Sequence, residues 1–131
     1  MPTNLPATFQ RPAVVPLPAS RPELGVRKVG NVTVLDLSGT LTSDQPAHFR
    51  ERIRELSDSG TKSFAINLAQ VPYMDSSGVG ALLAAFKSIR AAGGKCKFFG
   101  APPQVVHTLE RVNLHKVFEL FEDEGAALSS F

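Results

Sequence analysis

The sequence predicts an α/β fold: a mostly parallel, mixed sheet of about five strands, with an N-terminal antiparallel hairpin at one edge and helices packed against it. Three observations predict it. Short β-branched or apolar runs alternate with stretches of helical period. The first two runs, LGVRKV and VTVLDLS, are separated only by Gly30 and Asn31, which leaves room for a hairpin turn and nothing more. The later runs are spaced by whole helices, the crossovers that parallel strands require.

The elements follow in the order β β α β α β α β α. After the hairpin, Gly39 to Asp44 form a polar connection, and Ser43 or Asp44 can cap a helix that carries Pro46 in its first turn. Phe49, Ile53 and Leu56 recur at helical spacing and turn inward, Arg50, Glu51, Arg52, Arg54 and Glu55 stay wet, and Gly60 ends the helix. SFAINLA, residues 63 to 69, is too short for a buried helix and reads as a central strand. KCKFFG and VFELF, 95 to 100 and 117 to 121, read the same way. Helices are expected over Ser76 to Ala92 and Pro102 to Val112, with a short one over Asp123 to Phe131 and a glycine C-cap at Gly93 and Gly94.

At 131 residues the chain has the length of one domain, and its 43% hydrophobic and 20% charged residues are ordinary for a globular one. Residues 1 to 22 hold six of the ten prolines without helical or strand period, so they are expected to be a disordered, proline-rich arm, with the folded domain over 23 to 131. A net charge of +2 without a basic block interleaved with aromatics argues against nucleic-acid binding. The single cysteine, Cys96, sits in a strand pattern and reads as a packed thiol in a reducing compartment. With no apolar run of roughly 18 residues and no unbroken signal-peptide core, the expectation is a soluble cytoplasmic protein away from membranes.

The informative stretch is YMDSSGVGALL, 73 to 83, on the loop after the third strand, where α/β folds concentrate function. Val79, Leu82, Leu83, Phe86 and Ile89 share one stripe of the helix that follows. Ser77 projects roughly 180° from the centre of that stripe and Ser76 about 85° from it, at 100° per residue. Ser77 therefore points outward, in company with Gly80, Ala81, Ala84 and Ser88, a face with no long side chains. The plain alternative is a helix start, capped by Asp75 or Ser76, with small residues packed under a loop. On the residues alone both readings stand. A phosphoryl group on Ser77 would be tolerated in the first helical turn, yet would add about −1.5 to −2 charges beside Asp75 on any docked face.

YMDSSGVGALLAAFKSIRAAGGKCKFFG, followed by VVHTLERVNLHKVFELFEDEGAAL, resembles the core of the STAS family, which includes bacterial anti-sigma factor antagonists and the tails of sulfate transporters. The resemblance covers about residues 24 to 131 and implies the STAS fold. It implies a binding module rather than an enzyme, whose second motif serine, here Ser77, is phosphorylated by an anti-sigma factor that is also a serine kinase of the histidine-kinase-like ATPase type. Asp75, Ser76 and Gly78 frame that serine. The unmodified antagonist binds the anti-sigma factor and frees the sigma factor, so regulating transcription; the phosphorylated form lets go, and a serine phosphatase resets it. Many such antagonists carry an acidic residue or two in the loop after the second strand, where this chain has GTLTSD, with Thr40 and Thr42 at those places and Asp44 nearby as partner-face candidate or helix cap. The alternative within the family is an unphosphorylated adaptor in a lipid-transport or signalling-scaffold complex.

Other chemistries lack their residues. No glycine stands two places before Ser76 or Ser77, as a nucleophile elbow needs, and His48, His107 and His115 have no paired acid at fixed spacing for a triad. Nor do they make an i, i+4 metal pair, and no G-x-x-x-x-G-K loop cradles a phosphate. A flavin carrier needs aromatics around the ring, yet tryptophan is absent and Tyr73 is the only tyrosine. No cofactor and no metal are expected.

Overall fold

The computed structural model of the chain describes residues 23–40 and 46–131. The arm expected over 1 to 22 lies outside the described residues, as do the connection through Thr42 and Asp44 and the cap expected from Ser43 or Asp44. The hairpin forms first: β1 (Glu23–Val29) pairs antiparallel with β2 (Val32–Ser38) across Gly30 and Asn31, Val29 opposite Val32. α1 (Pro46–Asp58) then leads to β3 (Ser63–Gln70), α2 (Ser76–Ala91) to β4 (Lys95–Phe99), and α3 (Pro103–Arg111) with a 3-10 turn (Leu114–Lys116) to β5 (Leu120–Phe121); α4 (Glu124–Ser129) closes the chain. The strands lie in sequence order, β2 to β5 parallel.

Strand alternation divides the core between two faces. Leu35, Leu37, Phe64, Ile66, Leu68, Cys96 and Phe98 face one way, under α1, α2 and α3, and form the main core with Phe49, Ile53, Leu82, Ile89 and Leu109. Val32, Val34, Ala65 and Phe99 face the other way, under α4 through Ala127. Cys96 is buried and its thiol is pushed up to about 12 by that burial, which fits its reading as a packed side chain.

The α2–β4 connection forms as the glycine pair predicts. Gly93, at φ 83°, donates its N–H to the Arg90 carbonyl and Gly94 donates to Ile89, the paired bonds of a Schellman motif. Gly94 has a second reason to be glycine: a Cβ there would lie 2.5 Å from the Lys62 carbonyl oxygen, the same oxygen that accepts from the Lys95 N–H at 2.7 Å.

Two elements differ from the sequence expectation. The strand expected over 117 to 121 is only Leu120–Phe121, because the preceding residues turn: Val117 and Phe118 both donate their N–H groups back to the Leu114 carbonyl. Val117 is left exposed while Phe118 stacks on Phe98 with ring centroids 4.3 Å apart. The last helix spans 124 to 129 rather than 123 to 131, since the Asp123 carboxylate accepts from the Ala126 N–H at 2.8 Å and so serves as its cap.

The α4 face carries a polar network that fixes the sheet where the candidate loops leave it. Arg27 of β1 donates to both Asp36 of β2 and Glu124 of α4, the latter at 2.6 Å. Asn67 of β3 donates from Nδ2 to Asp36 at 2.8 Å, and its side-chain oxygen accepts from the Ala69 N–H, holding the register shift that lets Ser38 pair with Gln70. The Arg27 hydrogen bonds, opposed by partial burial and aided by Asn67, hold the Asp36 carboxyl below the usual carboxylate range. A depressed carboxyl contributes stability above the unfolded value near 4 and loses it as pH falls through the lower folded value. Asp36→Asn is therefore expected to lower Tm at neutral pH and to flatten its fall on acidification below about pH 4, read by circular dichroism melts against pH. Parallel acid profiles for the two proteins would remove Asp36 as the cause.

Candidate functional site

The loop between β3 and α2 is held from inside and open outside. Val71 and Met74 are fully buried, and the Val71 N–H turns back to the Leu68 carbonyl at 3.0 Å. Between these anchors and the helix, Tyr73 is 45% exposed. Asp75, in extended conformation, is the N-cap, its carboxylate accepting from the Gly78 N–H at 3.0 Å. The capping role thus falls on Asp75, and Ser76 and Ser77 are the first two helical residues, both exposed.

The expected face of α2 is corrected in part. Gly80 and Ser88 are exposed, Ala84 is half-buried, and Gly78 is buried under the cap. Ala81, placed on the open face by the sequence, is 5% exposed and belongs to the core. The reason is that α2 is covered on two sides, by the sheet and by α1, so the buried arc includes Ala81 and Ala85 while Leu83 moves to its edge. This shifts the centre of the stripe by roughly 50° on the helical wheel and carries Ser76 further from the core than the apolar pattern alone suggests. Ser77 stays outside under either phase.

Thr40 lies beside this loop: the Gly39 N–H donates to the Gln70 carbonyl at 3.0 Å, tying the loop after β2 to the one after β3, and Thr40 is half-buried. Thr42 and Asp44 lie outside the described residues.

Sequence reasoning missed the far bank of the site. The end of α3 comes to the start of α2 and leaves a groove of about 470 Å³, with Tyr73, Ser76 and Gly80 contributed from one side and Thr108, Arg111 and Val112 from the other. Val112 is 51% exposed, and a Cβ at Gly80 would meet nothing within 4 Å, so the groove is open and partly apolar. Arg111 makes no ion pair among the described residues. Only the apolar period of α3 carries a signal here, and it gives the helix's inward face without its neighbour.

Among the described residues no group of three or more His, Cys, Asp or Glu is assembled, and no helix is long and apolar enough to cross a membrane. His107 is exposed and His115 half-buried, and neither lines the groove.

These features define a mixed α/β domain with three helices on one face of the sheet, presenting paired hydroxyls on a capped helix start. Residues 23–127 match the STAS domain, and the chain belongs to that family. Among its relatives is an anti-sigma-B factor antagonist of Listeria monocytogenes, 35% identical over 60 residues that cover 46% of this chain; the match spans about half of that relative, 53% of its length. An anti-sigma F factor antagonist of Paenibacillus polymyxa is 27% identical over 99 residues, 75% of this chain and 85% of that protein. Of solved structures, the anti-sigma factor antagonist SpoIIAA of Bacillus in its unphosphorylated form superposes with a TM-score of 0.71 at 22% identity, covering 82% of this chain and 95% of that one. Its phosphorylated form gives 0.66 at 21%, with 82% and 98% covered. At these identities the structural likeness carries the fold.

Proposed function

We propose that the chain is an anti-sigma factor antagonist, a binding module whose partner is an anti-sigma factor that is also a serine kinase of the histidine-kinase-like ATPase type. The observation that carries the reading is Ser77: an exposed hydroxyl on the first turn of α2, beside a carboxylate already committed to capping. The names of the Listeria and Paenibacillus relatives support it, as does likeness to a protein solved in phosphorylated and unphosphorylated forms.

In this reading the partner docks on Ser76, Ser77, Gly80, Ala84 and Ser88, with Thr40 at its edge, while Asp75 and Gly78 hold the frame; Thr42 and Asp44, outside the described residues, are further candidates for partner contact. Kinase action moves the γ-phosphoryl group of ATP to Ser77 Oγ. The new charge enters a helix start whose free N–H groups favour it, so the domain keeps its fold while the docked face becomes repulsive. A serine phosphatase restores binding. The chain itself is the substrate of these cytoplasmic reactions and performs no catalysis.

The test is incubation with the cognate anti-sigma kinase and ATP, followed by intact mass. The wild type is expected to gain a phosphoryl mass that fragmentation locates at Ser77, and the total gain of Ser77→Ala is expected to be smaller by that mass. No gain on the wild type, or an unchanged gain at the loop in Ser77→Ala, defeats the reading.

A further inference from the structure

The groove at the start of α2 brings together a hydroxyl and a guanidinium to which phosphoryl transfer at Ser77 assigns no role. Ser76 and Arg111 both line it, together with Asp75, whose carboxylate accepts from the Gly78 N–H, and Ser77, about 100° further round the helix, does not. Arg111 stands in the last turn of α3, where a cation favours the carbonyl end of a helix. That role explains a cation at the helix end, but not its opening onto a groove shared with an exposed serine and lacking any other cation among its lining residues.

We propose that Ser76 is a second phosphorylation position and that Arg111 receives its phosphate across the groove. The inference rests on the proposed function only for the phosphoryl donor, an ATP-dependent serine kinase that acts on this loop. In the transfer, Ser76 Oγ forms a bond to the γ-phosphorus as the bond from that phosphorus to the β–γ bridging oxygen breaks; ADP leaves, and the hydroxyl proton passes to a base of the kinase. The phosphoserine carries about −1.5 to −2 charges and three acceptor oxygens, and the planar guanidinium fork donates to two of them. The pair draws the end of α3 toward the loop and covers Tyr73 and Val112, two of the most exposed large apolar side chains among the described residues. A phosphate at 77 charges the outer face; one at 76 closes the groove beside it. Adjacent serines thus give different signals.

The latch is tested without a kinase, in full-length chain carrying phosphoserine inserted at position 76 or 77 during translation. Phosphorus NMR against pH reads the second ionisation of each phosphate. At position 76, where Asp75 opposes the second ionisation in every variant, it is expected to lie about half a unit or more lower with Arg111 present than in Arg111→Gln. At position 77, Arg111→Gln is expected to leave it unmoved. Tyr73 is the only tyrosine and tryptophan is absent, so the tyrosine fluorescence reports on the groove directly. Acrylamide quenching is expected to drop in the form modified at 76 and to recover with Arg111→Gln. Identical phosphate titrations at position 76 with and without Arg111 overturn the proposal. That failure is separate from a failure of Ser77 as kinase substrate, which the mass measurement reads on its own.

Discussion

Phe98→Ala is expected to cost about 3–5 kcal/mol, a large part of the 5–15 kcal/mol by which a domain of this size is stable. Phe98 is completely buried on the main face of β4. Its ring stacks on Phe118 at 4.3 Å and lies 6.5 Å from Phe86, and Phe86 in turn meets Phe118 at 5.1 Å. Removing the ring takes away the transfer energy of the largest class of side chain and leaves a void that neither neighbour can fill without abandoning the other. The loss also reaches the edge of the sheet. β5 pairs with β4 over only two residues, and Phe118 is the side chain that pins the approach to it. Urea unfolding is expected to show the full cost. Hydrogen exchange is expected to accelerate most at the Phe98 and Gly100 amides, which donate across to Glu119 and Phe121. Phe98→Leu keeps most of the volume and is expected to retain more than half of the lost stability; a leucine variant as unstable as the alanine one would show that ring stacking, rather than the void, sets the cost.

The strands and helices of this chain are legible because each is specified locally. Gly30 and Asn31 between two β-branched runs permit a hairpin, and the Asp75 carboxylate followed by the Gly78 amide permits a cap. Where the sequence misleads, a neighbour decides. Ala81 has the size of a surface residue and is buried because α1 lies over it. VFELF has the composition of a strand, yet Val117 is turned outward by backbone bonds to Leu114. Lys97 is the sharpest case: in KCKFF it sits on the α4 face, only 7% exposed, with Nζ bonded to the Ser130 carbonyl at 2.9 Å and lying over the rings of Phe131 and Phe121. No local pattern separates a lysine that snorkels to water from one that closes a helix onto a sheet. The same limit applies to the site. Ser77 can be placed from the helical phase of its own segment, whereas Arg111 reaches the groove only through the packing of α3, which nothing in the DSSGVG motif encodes.

Ser77→Asp is expected to leave the fold intact and to weaken anti-sigma binding by about a hundredfold or more, roughly 2.7 kcal/mol. The two halves of that result have one physical origin. An aspartate in the first turn of α2 faces free N–H groups and the positive end of the helix, so melting temperature is expected to hold or rise slightly. On the outside, the same carboxylate stands on an exposed face with the Asp75 carboxylate close by in sequence, so its charge adds to one that is already spent on the Gly78 N–H. A partner that covers the face must strip water from the new charge without offering it a cation, and a like charge opposite would add several kcal/mol more. Ser77→Ala removes the acceptor without adding charge and is expected to bind within a few-fold of wild type. Part of the Ser77→Asp loss is expected to recover as salt rises from 0.05 to 0.5 M, since the Debye length then shrinks from roughly 14 to 4 Å. Calorimetric titration of the three proteins against the same anti-sigma factor separates the causes. Equal affinity for Ser77→Asp and wild type would take the charge switch away, and an equal loss in Ser77→Ala would turn Ser77 from a switch into an ordinary contact.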